Sequence, residues 1–360
     1  MDLRHLSVKP LLVAITMAVS AAAVADTETS APPSEADVRW QTLSPVANLY
    51  LDNAPASEFM AQGDEEKSRW NNYAGALAYY LMATERDPYS SWAPYQAAAA
   101  LAYLRVPDQA DTYLQLADQR GFWQYITMEE DDELAEITES SAYNTLLTNA
   151  KLRYPQHAQD VGKAYIHLPK GTAPADGWPV LVWLAGYGTE GSDSKDLAEV
   201  LTADKAIFIG INGTEKLDDH RFRWARTDTE STQQAVQQAL ALAAKSAKLD
   251  KKRVALMGFS QGALHSAHLL AEHPDDYCGA LIVSAGGMQT AMTAAAPKGK
   301  RVVLSYGEAE REGNQALDKK LASYFSKDNQ FEQHTHKGGH FFDADWPAKF
   351  PKYVEQVLGL

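Results

Sequence analysis

Residues 253–272 restrict what this chain can fold into more tightly than any other stretch. Arg253 to Met257 is a short apolar run. Gly258-Phe259-Ser260-Gln261-Gly262 follows at once, and a helical pattern carrying Ala263, Ala267 and Leu270 continues to Glu272. Two glycines around one serine let a strand turn sharply into a helix and hold the hydroxyl strained and exposed at the helix N-terminus. With 22 Gly and 21 Ser in 360 residues, chance supplies a Gly-x-Ser-x-Gly only about 0.08 times. The strand before it and the helix behind it lower that figure further. Ser260 is therefore read as a nucleophile rather than as part of a structural turn.

The surrounding pattern fits that turn. Short apolar, β-branched runs occur at 164–168, 180–184, 206–211, 253–257, 280–283, 301–306 and 331–335, with helical stretches at 229–247, 261–272 and 314–325 between some of them. Continuous apolar strands alternating with helices imply a mostly parallel sheet covered on both faces. Reactive groups in such a sheet gather at the carboxyl ends of the strands.

A serine hydroxyl is inert at neutral pH and needs a base that is itself oriented by an acid. In a strand-turn-helix setting of this kind the partners follow in the order serine, acid, histidine. His340 lies in Lys337-Gly338-Gly339-His340, a glycine-rich loop beyond the last expected strand, and is the expected base; His334 and His336 alternate within that strand and read as structural. The acid is expected after the strand 301–306, where the chain reads Gly307-Glu308-Ala309-Glu310-Arg311-Glu312 with no aspartate. Glu310 is the expected acid, with Glu308 and Glu312 as alternatives. The oxyanion of a tetrahedral intermediate needs two further donors. The Gln261 N–H is one, and the Tyr187 N–H, in Ala185-Gly186-Tyr187-Gly188 after an earlier strand, is the other. The segment His220-Arg221-Phe222-Arg223-Trp224-Ala225-Arg226 either packs and ion-pairs its own loop or borders the cleft; within it Trp224 is the expected pocket wall.

With these residues in place, the stretch from about 160 to 360 resembles the α/β-hydrolase superfamily, in particular small lidless esterases of the dienelactone hydrolase and phospholipase/carboxylesterase type. The resemblance implies a serine hydrolase acting on a small-molecule ester through an acyl-enzyme, without metal or organic cofactor. A Gly-x-x-Asp follows the acid's strand in that family, and Gly307-Glu308-Ala309-Glu310 matches it with Glu in place of Asp. The family's His-Gly-x-Gly loop is here Ala185-Gly186-Tyr187-Gly188, which keeps the backbone donor and changes the side-chain support. The dienelactone branch usually carries a cysteine nucleophile, and this elbow carries serine. A serine peptidase of the same fold stays open as an alternative.

The first half of the chain has another character. Arg4 and Lys9, an apolar stretch from Leu11 to Ala23, and Ala23-Val24-Ala25 before Asp26 form the three parts of a secretory leader cut after Ala25. That pattern places a bacterial protein in the periplasm or outside the cell. Residues 26–36, rich in Ser, Thr, Pro, Ala and acid, read as a flexible linker. Residues 37–157 read as all-helical. Ala76, Tyr79, Ala83 and Arg86 reappear 34 residues later as Ala110, Tyr113, Ala117 and Arg120. A helix-pair period of that length resembles the tetratricopeptide repeat, a family whose members bind protein or peptide partners; an ordinary bundle with a chance echo is the alternative. On that reading the hydrolase half, 158–360, could even be inert and the repeats the working part. The acidic run Glu129 to Glu133 reads as a solvated helix start rather than a metal site.

Charge narrows the partners. With 47 acidic against 33 basic residues the net charge is −14, which disfavours nucleic acid and anionic membrane. No run beyond the leader is long and apolar enough to span a bilayer. A single cysteine, Cys278, excludes an internal disulfide framework and a Cys-rich metal site, and reads as a small buried hydrophobe.

Overall fold

A computed structural model describes residues 53–287, 292 and 294–360. The expected leader (1–25), linker (26–36) and first part of the helical region (37–52) lie outside the described residues. The chain divides into two compact units between Tyr154 and Pro155.

The first unit is helical: α1 (Ala56–Trp70), α2 (Tyr73–Arg86), α3 (Trp92–Tyr103), α4 (Pro107–Gln119), α5 (Tyr125–Glu129), a 3-10 turn (Asp132–Ile137) and α6 (Ser141–His157), whose last residues run past the division. Asn71, in the left-handed region at φ 52°, closes the tight link between α1 and α2. Pro88 halts the chain just after α2, and Pro107 opens α4 at a position where its missing N–H costs nothing. The echoed alanines face inward: Ala76 and Ala83 of α2, and Ala110 and Ala117 of α4, are buried. Ala97 to Ala100 on α3 are buried as well, so that helix is enclosed on every side by virtue of being thin. Arg120 ties the end of α4 back to the end of α2, donating to the carbonyls of Thr84, Asp87 and Ser90 at 3.1–3.2 Å.

The acidic run departs from expectation. It does open the 3-10 turn, but Asp131 and Glu133 turn inward instead of into solvent. Asp131 accepts from the Tyr95 hydroxyl at 2.7 Å and from the Glu133 N–H at 3.1 Å, and Glu133 pairs with Lys67 at 3.1 Å. The buried Tyr95 hydroxyl, the half-buried Tyr73 hydroxyl and Lys67 supply the donors that make this inward turn affordable.

The second unit carries a seven-stranded sheet. Its strands are β1 (Ala164–His167), β2 (Trp178–Leu184), β3 (Ile207–Ile211), β6 (Leu249–Ser260), β7 (Gly279–Ala285), β8 (Arg301–Gly307) and β9 (Gln330–His336), in the order β1-β3-β2-β6-β7-β8-β9. Only β1 runs antiparallel; the other pairings are parallel. Val180, Val182 and Leu184 point to one face, where they meet α8 (Thr229–Ala243), α9 (Gln261–Glu272) and α10 (Glu312–Phe325). Leu181 and Trp183 point to the other, against α7 (Lys195–Thr202) and α11 (Trp346–Leu358). Burial on both faces is why these strands read as unbroken apolar runs. A two-stranded ribbon, β4 (Glu215–Lys216) with β5 (Phe222–Arg223), was not legible in the sequence, because two-residue strands leave no periodicity. Cys278 is free and partly buried, its thiol donating to the Val357 carbonyl at 3.3 Å.

Candidate active site

The site lies where β2, β6, β7, β8 and β9 end. Ser260 closes β6 with φ 54° and ψ −117°, a conformation costly for a residue with a Cβ, and α9 starts at the next residue. The turn survives because its glycines allow close approach. A Cβ on Gly262 would collide with the Leu184 and Ala185 carbonyls, so α9 can enter against the end of β2 only with glycine there. That contact sets the Ser260 turn beside the Ala185–Gly188 loop.

Three of the expected residues form one hydrogen-bonded line. The Ser260 hydroxyl and His340 Nε2 are 2.8 Å apart, and His340 Nδ1 lies 2.8 Å from Glu310 Oε2. His340 reaches the serine from the glycine loop after β9, its ring packed on Phe259 at 5.1 Å between centroids. Its side chain is 33% exposed, whereas the Glu310 side chain is fully buried. Burial would push the Glu310 carboxyl up. The bond from His340, the nearby Ser284 hydroxyl and the Gly307 N–H outweigh it and hold the carboxyl below its ordinary value. Glu310 is thus an anion that fixes the imidazole with Nδ1–H toward itself and Nε2 free to accept from serine.

Of the three glutamates after β8, only Glu310 turns toward His340. Glu308 pairs with Lys337 and accepts from Thr335, and Glu312 begins α10 at the surface. The Gly307 N–H donates to Glu310 Oε1 at 3.2 Å, and Asn314 Nδ2 donates to Oε2 at 3.2 Å. Gln315 holds the loop itself, donating to the Glu308 and Glu310 carbonyls.

Gln261 is the first residue of α9, directly after Ser260, so its N–H has no partner within the helix. Tyr187 sits on the loop after β2, 52% exposed. Trp224 does not form a pocket wall. It is 1% exposed, its indole N–H donates to the Ala185 carbonyl at 2.9 Å, and its backbone pairs with the Gln261 side chain. The rest of its segment packs and ion-pairs: Arg223 bonds Glu215 at 2.6 Å, and Arg221 approaches Asp218 at 3.3 Å.

Sequence reasoning passed over Gly286, Asn314 and Asp318. Gly286 N–H donates to the Ser260 carbonyl at 3.1 Å, and a Cβ on Gly286 would lie 3.2 Å from both Ser260 Oγ and His340 Cε1. A Gly-Gly pair straight after an apolar strand was the available signal. Asn314 and Asp318 lie four residues apart on α10 and so share one face, and Asp318 accepts from the Ala285 N–H at 3.1 Å. Their only sequence signal was that spacing after the acidic loop.

A family model described as putative esterase matches residues 157–356. Among solved structures, a Bacillus cereus carboxylesterase is 22% identical, covering 57% of this chain and 98% of its own, with a TM-score of 0.46. A Mesorhizobium loti carboxylesterase is 18% identical over 51% of this chain and 90% of its own, with a TM-score of 0.42. A fluorophosphonate-binding serine hydrolase of Staphylococcus aureus is 14% identical over 56% of this chain and 95% of its own, with a TM-score of 0.41. No curated protein sequence matches the chain.

Proposed function

The chain belongs to the putative esterase family, and from that premise we propose that it is an exported carboxylic ester hydrolase working through Ser260, His340 and Glu310. The observation that carries this reading is the unbroken line of two 2.8 Å contacts from a strained, accessible serine to a buried carboxylate.

In the proposed reaction Ser260 Oγ bonds to the ester carbonyl carbon while its proton passes to His340 Nε2. The carbonyl electron pair moves onto oxygen, which the Tyr187 and Gln261 N–H groups receive, each worth about 3 kcal/mol of barrier. Glu310 steadies the imidazolium throughout without taking the proton. Collapse of the intermediate breaks the carbon–oxygen bond to the alcohol, which leaves with the proton from His340. Water then attacks acyl-Ser260, giving its proton to His340, and the carboxylic acid departs as the serine is reprotonated.

The experiment is reaction of the mature protein with a fluorophosphonate probe, read by peptide mass spectrometry, with p-nitrophenyl acetate and a peptide substrate assayed alongside. Labelling at Ser260 is expected, with ester turnover at least about a thousandfold lower in Ser260→Ala. Folded protein that neither labels nor turns over ester would overturn the reading, and preference for the peptide would move it to a peptidase. Export rests on the pattern in residues 1–25, and N-terminal sequencing of secreted material should begin at Asp26. The helical unit, with its 34-residue echo, is proposed to be tetratricopeptide-like and to hold a protein or peptide partner; co-purification from the native host, lost on deleting residues 26–154, would test this.

A further inference from the structure

The two proposed oxyanion donors belong to different elements, Gln261 N–H to the start of α9 and Tyr187 N–H to the loop after β2. A transition-state oxygen needs both within about 2.7–3.1 Å, so their mutual spacing must be set by something besides backbone continuity. One short segment joins them. At the far end of the loop, the Gly188 N–H donates to the Phe222 carbonyl at 2.7 Å. At the near end, the Trp224 indole N–H donates to the Ala185 carbonyl at 2.9 Å. The two residues left between these ties are Gly186 and Tyr187.

The same segment also grips the elbow. The Trp224 N–H donates to Gln261 Oε1 at 3.0 Å, and Gln261 Nε2 donates to the Trp224 carbonyl at 2.7 Å. This two-point clasp resembles a rung of a ladder, made by a side-chain amide with one backbone residue. Ala185, Trp224 and Gln261 are buried, so each bond among them is costly to lose and each fixes a geometry. The segment is itself anchored through Phe222, fully buried, and through the Arg223–Glu215 bond at 2.6 Å in the β4–β5 ribbon.

We propose that Trp224 is a positioning residue that couples the Ala185–Gly188 loop to the nucleophile elbow and so sets the distance between the two oxyanion donors. The proposal rests on the esterase reading above. An unsupported loop would still admit substrate but would meet the developing oxyanion out of place, and displacement of this kind by 1 Å costs about a hundredfold. The loss should therefore fall on kcat and not on KM.

The test replaces Trp224 in the full chain with β-(3-benzothienyl)alanine, which keeps the bicyclic shape and exchanges the N–H for sulfur. Trp224→Phe and Gln261→Glu accompany it; the latter retains an acceptor for the Trp224 N–H and loses the donor to its carbonyl. Thermal melting confirms folding. p-Nitrophenyl acetate kinetics and inhibition by a trifluoromethyl ketone, whose adduct carries the oxyanion, provide the readouts. The expected result is kcat lower by about 10- to 100-fold, KM within about twofold of the parent, and inhibitor affinity falling in step with kcat/KM. If the sulfur variant is too unstable to assay, Gln261→Glu must show the same split. A folded variant with parental kcat and inhibitor affinity would overturn the proposal while leaving the esterase reading intact, as would one that loses affinity for substrate and inhibitor equally. Parent protein without Ser260-dependent turnover would overturn both.

Discussion

Both units of the molecule contain a carboxylate that takes a short hydrogen bond, and only one of them is arranged for chemistry. In the helical unit Tyr95 donates to Asp131 at 2.7 Å; in the sheet unit His340 lies 2.8 Å from Glu310. Burial and then Asp131 drive the Tyr95 hydroxyl far above its ordinary value, so it stays protonated and the pair is inert. The Glu310 line has a titratable ring in the middle and ends on a strained serine with access to solvent. Strength of the bond does not separate the two. What separates them is whether the line leads outward through an imidazole, whose two nitrogens can accept a proton on one side while bonded on the other.

Breaking each line at one partner sharpens this contrast. Glu310→Gln keeps the shape at the buried end but presents an amide that cannot stabilise the imidazolium, and kcat should fall by about 10³–10⁴ with little change in melting temperature. Glu308→Gln, on the exposed partner of Lys337, should leave kcat within about twofold. Equal losses from the two variants would break the assignment of the acid to Glu310. In the helical unit, Tyr95→Phe strips a donor from the buried side of Asp131 and should cost about 2–3 kcal/mol in denaturant unfolding of that unit, with ester turnover unchanged. A fall in turnover would show that the inward polar bonds of the helices bear on the reaction after all.

The same contrast explains what could be read without coordinates. The strands of the central sheet are legible because burial on both faces forces apolar runs, and the elbow because its glycines are dictated by backbone approach to Leu184 and Ala185. Polar burial follows no such period. Three glutamates at alternate positions after β8 look equivalent until Gly307 N–H and Asn314 single out Glu310. Trp224 sits on a charged loop and reads as a pocket wall, and its burial follows from contacts with residues 39 and 37 positions away, Ala185 and Gln261. Asp131 and Glu133 look like a solvated patch because their partners, Tyr95 and Lys67, come from distant helices. Local pattern reports which face is apolar. It does not report which polar group finds a partner across the core.

Asp318 tests that distinction within the sheet unit. It lies on α10, 0% exposed; Oδ1 takes the Ala285 N–H at 3.1 Å and Oδ2 has no hydrogen-bond partner among the described residues. Burial first, and the charge of Glu310 second, raise its pKa to about 8 despite the Ala285 bond, so the folded protein holds it neutral at pH 7. Tyr306 of β8, its own hydroxyl raised by burial, is the other titratable group that feels it. In the unfolded chain the carboxyl titrates near about 4. Between those values the folded state binds the extra proton. The stability Asp318 contributes is therefore complete below about pH 4, declines as pH rises, and is gone above about pH 8. Asp318→Asn keeps the acceptor for Ala285 and cannot ionise. Relative to the parent, the variant should gain about 2–3 kcal/mol in urea unfolding between pH 6 and pH 8.5. Parallel stability curves across that range would mean that the carboxyl ionises freely in the folded protein and that the acid end of the line is open to water.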